Sequence, residues 1–277
     1  MKSKTYVITG ATSGIGKALA EKLAQDNVVF AGYRSESKRE MLAAISDNIF
    51  PFYIDYAKPE TIASAVEFLK SKCSKIDTLI NIAGCVVAGP IEKIDMKEIR
   101  RQFDVNVFGH LELSKSLIDI LKDGKIINVS SMAGYGVFPF ISPYCASKRC
   151  LDMFFNALLV ENKKNIKIIS VKPGVIATPL WGKSIEENSK YFENCTGYEE
   201  EMQFMIKNAQ KNEAKGLLPE KVVEVILKAD SLKNPQLSYT VGRDAFTARL
   251  ISKLPQAWVN RLVEFGLKIR MNVKNCK

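Results

Sequence analysis

The feature that most constrains this chain is a regular alternation. Short, almost wholly apolar runs rich in β-branched residues recur between longer stretches with helical spacing. The runs are TYVITG (5–10), VVFAGY (28–33), FPFYID (50–55), TLINIAG (78–84), KIINVSS (125–131), KIISVKPG (167–174) and SYTVG (238–242). A strand with one face in water alternates apolar and polar side chains; a strand that is apolar throughout is covered on both faces. The intervening segments, among them GKALAEKLAQD, PETIASAVEFLKSK and KEIRRQFDVNVFGHLELSKSLIDILK, are amphipathic. Strict alternation of the two predicts an α/β fold, a Rossmann-type doubly wound parallel sheet of about seven strands with helices on both faces. No repeat, low-complexity stretch or linker interrupts the pattern before residue 175, so residues 1–277 are expected to form one domain.

Composition removes several classes of function. No run of eighteen apolar residues occurs, so no spanning helix is expected. The opening MKSKTYVITG enters a strand-like run at once, which leaves no room for a signal peptide and points to a cytoplasmic protein. The six cysteines, at 73, 85, 145, 150, 195 and 276, have neither C-x-x-C spacing nor nearby histidines. Reduced thiols and no metal site are the expectation. The single histidine, His110, lies in an apolar helical run and is read as structural, which leaves a Ser-His-Asp hydrolase no other base. The net charge of +10 suits a lysine-rich surface or attraction for a phosphorylated or acidic partner. The lysines are dispersed and no basic run is interleaved with aromatics, so nucleic acid is not expected as a partner.

Directly after the first strand the chain reads Thr9-Gly10-Ala11-Thr12-Ser13-Gly14-Ile15-Gly16 and then becomes helical. Gly10 permits a tight turn, Gly14 lets backbone approach a pyrophosphate, and Gly16 lets the helix pack close to the sheet. Phosphates would sit against Thr12, Ser13 and Ile15 at the helix N-terminus, where free N–H groups and the dipole favour negative charge. The second strand tests which dinucleotide binds. A site for NAD offers an acid at this strand's end for the ribose 2′-hydroxyl. Here the end is Gly32-Tyr33-Arg34-Ser35, and no acid appears before Glu36. Arg34 with Ser35, aided by Lys38 or Arg39, suits a 2′-phosphate, so NADPH is expected, with NAD the alternative.

A phenol and an ammonium, Tyr144 and Lys148, stand one helical turn apart in ISPYCASKRCLDMF. Ser142 is expected to cap this helix and Pro143 to open it. A free phenol titrates near 10, so acid–base work near pH 7 asks for about 4 kcal/mol of adjustment; an ammonium and a helix N-terminus both favour phenolate. Such a pair usually just packs. Ser131, however, ends the strand-like INVSSMAG at the edge where open α/β sheets bind ligands, and its hydroxyl can hold a carbonyl against the phenol.

With these motifs in order over about residues 5–180, the chain resembles the short-chain dehydrogenase/reductase family. The T-G-x-x-x-G-I-G turn, the Ser131…Tyr144-x-x-x-Lys148 set and the Pro173-Gly174-Val175…Thr178 turn carry the likeness. The resemblance implies that Ser131 orients the carbonyl, Tyr144 donates the proton, and Lys148 lowers the phenol pKa and bonds the nicotinamide ribose. It also implies that Asn106 holds a water for proton relay and that Asp55, with Tyr56 beside it, meets the adenine. Asn81, Ala83 and Gly84 fall in the cofactor wall, and Pro173, Gly174, Val175 and Thr178 receive the nicotinamide amide. The family's N-N-A-G is here Asn81-Ile82-Ala83-Gly84, which leaves a local hydrogen bond of the central sheet without its usual donor.

The implied activity is NADPH-dependent reduction of a ketone or aldehyde, lipophilic or steroid/retinoid-like, reversible to alcohol oxidation. The later segment YTVGRDAFTARLISKLPQAWVNRL resembles a subgroup that includes 17β-hydroxysteroid and retinol dehydrogenases. A catalytically silent dinucleotide-sensing regulator is the alternative, disfavoured by an intact Asn-Ser-Tyr-Lys set. Residues 178–218, with Trp181, Tyr191, Phe192, Tyr198 and Phe204, form an insertion expected to be a substrate lid. Residues 244–277, around Pro255, are expected to be covering helices. Peripheral membrane contact through Trp258, Phe265, Lys268 and Arg270 is disfavoured against that reading. Relatives are commonly dimers or tetramers built on the helix of Tyr144 and the long one before it, so a homodimer or homotetramer is expected.

Overall fold

The computed structural model describes residues 3–193 and 195–272; of the residues discussed above, Cys276 and the side chain of Arg270 lie outside the described residues. All seven apolar runs are strands: β1 (Thr5–Ile8), β2 (Val28–Tyr33), β3 (Ile49–Tyr53), β4 (Thr78–Asn81), β5 (Lys125–Val129), β6 (Lys167–Pro173) and β7 (Ser238–Val241). They pair in parallel in the order β3-β2-β1-β4-β5-β6-β7. The order reverses between β1 and β4, so the turns leaving these two strands diverge and open a crevice at their carboxyl ends.

The period of two explains why the runs are apolar throughout. Tyr6 and Ile8 of β1 point into one core layer and Val7 into the other. The first layer packs helices α1 (Gly14–Leu23), α2 (Arg39–Ala43) and, later in the chain, the helix Pro219–Ser231 on the sheet. The opposite layer packs α3 (Pro59–Lys72), the helical stretch built from α4 (Met96–Phe103) and α5 (Gly109–Ser116), and α6 (Ser142–Glu161).

The long amphipathic stretch before β5 departs from a single helix. Asp104–Phe108 forms a π-helical turn between α4 and α5, and α5 ends at Ser116 rather than running to residue 122. The chain must turn to enter β5, and the Ile120 carbonyl is drawn off to accept the Ile76 N–H at 2.8 Å. α6 starts one residue earlier than expected. Ile141 is its N-cap, and Ser142 is its first residue and caps nothing.

The insertion after β6 folds into α7 (Leu180–Glu187), α8 (Ser189–Glu193) and α9 (Glu199–Lys215), followed by α10 (Pro219–Ser231). Its two ends meet: the Leu217 N–H donates to the Val175 carbonyl at 2.9 Å, and the Ala177 N–H donates to the Leu217 carbonyl at 2.8 Å. After β7 come α11 (Arg243–Ile251) and α12 (Gln256–Asn272), divided at Pro255 as the spacing predicts.

Asp230 of α10 fastens the amino-terminal ends of the central strands β1 and β4. Its carboxylate accepts from Thr78 Oγ1 at 2.6 Å, Tyr6 Oη at 2.8 Å and Lys4 Nζ at 2.9 Å. Burial pushes the carboxyl up, but these hydrogen bonds outweigh it and hold the group below the usual carboxylate range. Its contribution is therefore present above about pH 4 and is lost as pH falls through the lower, folded value. Asp230→Ala should cost on the order of 3 kcal/mol in urea unfolding at pH 7, because it leaves buried partners unpaired.

Candidate active site

The crevice between β1 and β4 contains a cavity of about 300 Å³. The glycine turn, the ends of β2 and β3, and the segment after β4 form one wall; Ser131, α6, the Pro173 turn and α7 form the other.

Gly10 and Gly14 both take positive φ, +68° and +51°, which side chains rarely adopt. A Cβ on Gly10 would stand 2.9 Å from the Ala83 backbone, and one on Gly14 would stand 2.9 Å from the Thr178 side chain. The turn is thus a cradle that only glycine leaves open. Ser13 caps α1 without a side-chain bond, and no acid occupies the helix's first turn, so its N-terminal N–H groups are not countered by a carboxylate. These features fit a dinucleotide pyrophosphate. Thr9, which sequence reasoning passed over, holds the second half of the cradle: its buried hydroxyl accepts the Ile82 and Ala83 N–H groups at 3.1 and 3.3 Å. That contact shapes the Asn81-Ile82-Ala83-Gly84 turn despite the isoleucine, whose side chain packs into the first core layer.

At the end of β2, Tyr33 and Arg34 line the cavity, as do Asp55 and Tyr56 after β3. The Arg34 side chain is 57% exposed, with Nη2 3.9 Å from Glu187 Oε1 at the end of α7. The other oxygen of Glu187 lies 3.7 Å from Arg101 Nη2. A carboxylate from the insertion therefore stands beside Arg34, a meeting of distant segments that no local pattern announces.

Ser131, Tyr144 and Lys148 come together at the other end. Ser131 follows β5, and its Oγ accepts the Ala133 N–H at 3.1 Å, which fixes its rotamer. Lys148 is only 4% exposed; its Nζ donates to the Val129 carbonyl at 3.1 Å and lies 5.8 Å from the Tyr144 ring centroid. Burial pushes the ammonium down to about 8, against the pull of the Asp152 carboxylate one turn further on. The expected lowering of the phenol is not what this geometry gives. Burial pushes Tyr144 up to about 12, an effect larger than the opposing pull of the nearby Ser131 hydroxyl. His110 is held neutral, pushed down to about 3 by burial and the Lys148 charge, with Nε2 2.7 Å from the Ala83 carbonyl.

Several expected residues stand outside the cavity wall. Gly16 lies beneath the turn, where a Cβ would strike the Gly10 carbonyl. Ser35 faces Ser37, with their oxygens 2.9 Å apart. Asn81 is turned into the sheet, donating to Asn128 Oδ1 at 2.8 Å and Ser114 Oγ at 3.2 Å. Asn106, on the π-helical turn, has its side chain fully engaged: Oδ1 accepts the Cys85 N–H at 2.9 Å, and Nδ2 donates to the Cys85 carbonyl and to Ser147 Oγ, both at 3.0 Å. The Val175 N–H is taken by the Asp244 carboxylate at 2.7 Å. The remaining expected residues, Gly10, Thr12, Ser13, Gly14, Ile15, Ala83, Gly84, Pro173, Gly174 and Thr178, line the cavity.

Sequence reasoning missed the apolar part of the wall, Cys85, Val86, Val105, Phe138, Ile141 and Leu180, which joins Trp181. The run CVVAGP directly after the β4 turn was the available signal, since apolar residues in a loop with no strand partner must cover something. The Cys85 thiol is pushed up to about 11 by burial and stays protonated.

Comparison with known proteins agrees with this geometry. The short chain dehydrogenase family model matches residues 4–189. An uncharacterized oxidoreductase of Bacillus subtilis (strain 168) is 32% identical over 254 residues, 88% of this chain and 90% of that protein. An NADPH-dependent 3-dehydrocapnine reductase of Ornithobacterium rhinotracheale is 31% identical over 248 residues, covering 85% and 87%. The crystal structure of a short-chain dehydrogenase from Streptomyces avermitilis superposes with a TM-score of 0.77 at 26% identity, over 97% of this chain and 98% of that one. The chain belongs to the short-chain dehydrogenase/reductase family and is an NAD(P)-dependent oxidoreductase acting between alcohol and carbonyl.

Proposed function

We propose that the protein reduces a lipophilic ketone or aldehyde to the alcohol with NADPH. The observation that carries this reading is the shared cavity: Ser131, Tyr144 and Lys148 close one end, and the glycine cradle leads to Arg34 at the other. When bound, the cofactor supplies the hydride. Ser131 holds the carbonyl oxygen beside the phenol, and Tyr144 gives its proton to that oxygen as the C=O π bond breaks. A phenol held near 12 is fully protonated at neutral pH, the form a proton donor needs. The buried Lys148 charge then stabilises the phenolate that remains. Asn106 is a positioning residue, since it ties the Cys85 backbone to Ser147 on the helix of Tyr144.

The apolar wall around Phe138, Leu180 and Trp181 supports a lipophilic substrate, with residues 178–218 as its lid in a single 277-residue domain. Phe108, Met153, Phe154 and Val160 are exposed on the π-helical turn and α6, which supports a homo-oligomer built on those helices.

Arg34 is the residue we assign to the 2′-phosphate, and the NADPH named for the Ornithobacterium relative supports the same choice. Fluorescence titration with NADPH and NADH tests it. Arg34→Ala should weaken NADPH about 10- to 100-fold, the worth of a charge-assisted hydrogen bond, and leave NADH nearly unchanged. Glu187→Gln removes the competing carboxylate and should tighten NADPH by up to about fivefold. Tighter binding of NADH than of NADPH by the unaltered protein would overturn the cofactor assignment.

A further inference from the structure

We propose that α12 is a docking surface for a membrane bearing anionic lipids. One face of this helix carries Trp258, Leu262, Phe265 and Ile269, which recur at a spacing that stacks them in a single stripe. They are 63%, 48%, 63% and 46% exposed. The helix has a separate inward face, on which Val259 is buried, so the stripe is not what attaches it to the rest of the molecule. Large apolar side chains repeated along one solvent-facing line have no folding role there and present a patch to something outside the chain.

Charge selects the partner. Arg261 and Lys268, two turns apart, run along one border of the stripe, and Arg243, Arg249 and Lys253 precede it on α11 and the following turn. The only acids from residue 243 to residue 272 are Asp244, whose carboxylate is bonded to the Val175 N–H, and Glu264, which is paired with Lys268 at 2.7 Å. Trp, Phe and Leu on one face with Lys and Arg beside them is the pattern of a helix lying in the plane of a bilayer interface. A second copy of the chain fits the stripe less well. It would bring this basic border against its own equivalent, and the four side chains expose on the order of 400 Å², about half of the ~800 Å² per partner in a stable dimer. Among the described residues no helix is long and apolar enough to cross a membrane, so the surface lies on a bilayer. α12 packs against α9 of the insertion, and α11 packs against the segment that follows Ser131. Docking therefore sets the walls of the cavity close to the lipid.

Flotation of the full chain with vesicles of phosphatidylcholine alone, or with about one-third phosphatidylglycerol, tests this. The protein should float with the anionic vesicles and stay behind with the neutral ones. Trp258→Ser/Phe265→Ser should lose flotation, while reduction of a water-soluble carbonyl, the far-UV circular dichroism and NADPH binding stay unchanged. Arg261→Gln/Lys268→Gln should weaken binding to anionic vesicles about fivefold per charge removed. An unaltered protein that stays wholly in the soluble fraction overturns the proposal. So does equal flotation with both vesicles, or a stripe variant whose only change is conversion of a dimer to a monomer. Because flotation needs neither turnover nor bound cofactor, the proposal stands or falls separately from the assignment of substrate and cofactor.

Discussion

Tyr144→Phe should lower kcat for carbonyl reduction by about a thousand- to ten-thousandfold and leave the NADPH dissociation constant almost unchanged. The substitution removes one oxygen, which is the proton donor of the proposed reaction, and positioned proton transfer contributes at this upper range when no other group can substitute. Three neighbouring groups are poor substitutes. His110 is neutral and bonded to the Ala83 carbonyl, the Cys85 thiol is held up to about 11, and Ser131 is a weak acid already accepting the Ala133 N–H. The ring that lines the cavity remains, so the pocket keeps its shape. KM should move little, because a donor acting mainly in the transition state adds little to ground-state binding. Ser131→Ala, which removes the orienting hydroxyl but keeps the acid, should cost less. Turnover retained by the Tyr144→Phe variant within about tenfold of wild type would remove Tyr144 from the role of acid.

The parts of this molecule that were legible in the sequence are those in which one residue type answers one geometric demand. Seven apolar runs could be assigned to a doubly covered parallel sheet because no other environment hides both faces of a strand, and all seven formed. Gly10 and Gly14 were readable for the same reason: the cradle needs positive φ and close backbone approach, and few other residues supply them. The Tyr144–Lys148 spacing put both groups on one face of α6, and both line the cavity. What stayed hidden depends on where side chains from distant segments meet. Thr9 reads as one more residue of a strand end, yet it braces the turn after β4. Glu187 reads as a surface charge on an insertion, yet it faces both Arg34 and Arg101. The sign of the Tyr144 shift is opposite to the expectation because spacing reports the neighbouring ammonium but not the depth of burial, and burial is the larger effect. The stripe on α12 was visible as periodicity, but the choice of outward or inward face is made by Val259 and the packing on α9.

Lys148→Met should cost about a hundredfold in kcat and make the protein more stable. A unit charge 5.8 Å from the ring centroid stabilises phenolate by about 3 kcal/mol at an effective dielectric of 20, which sets the size of the catalytic loss. The same charge is a burden on the fold. Lys148 titrates near 8 in the folded protein and near 10.5 when exposed, so folding opposes its protonation. The penalty is fully present below about pH 8 and disappears as pH rises toward 10.5. Replacing a buried charge with an apolar side chain of similar length should raise stability at pH 7 by on the order of 2 kcal/mol, with the gain fading above pH 8. The pH dependence of activity has the corresponding sign. As pH rises past about 8 the ammonium loses its proton while Tyr144 keeps its own, so kcat/KM for NADPH, which reports groups of the free enzyme, should fall along an alkaline limb. That limb should be absent from Lys148→Met. A limb that persists in the variant would belong to another group, and a loss of stability alongside the loss of activity would make Lys148 a packing residue. Lower activity with higher stability is the signature of a charge kept in the core for the chemistry rather than for the fold.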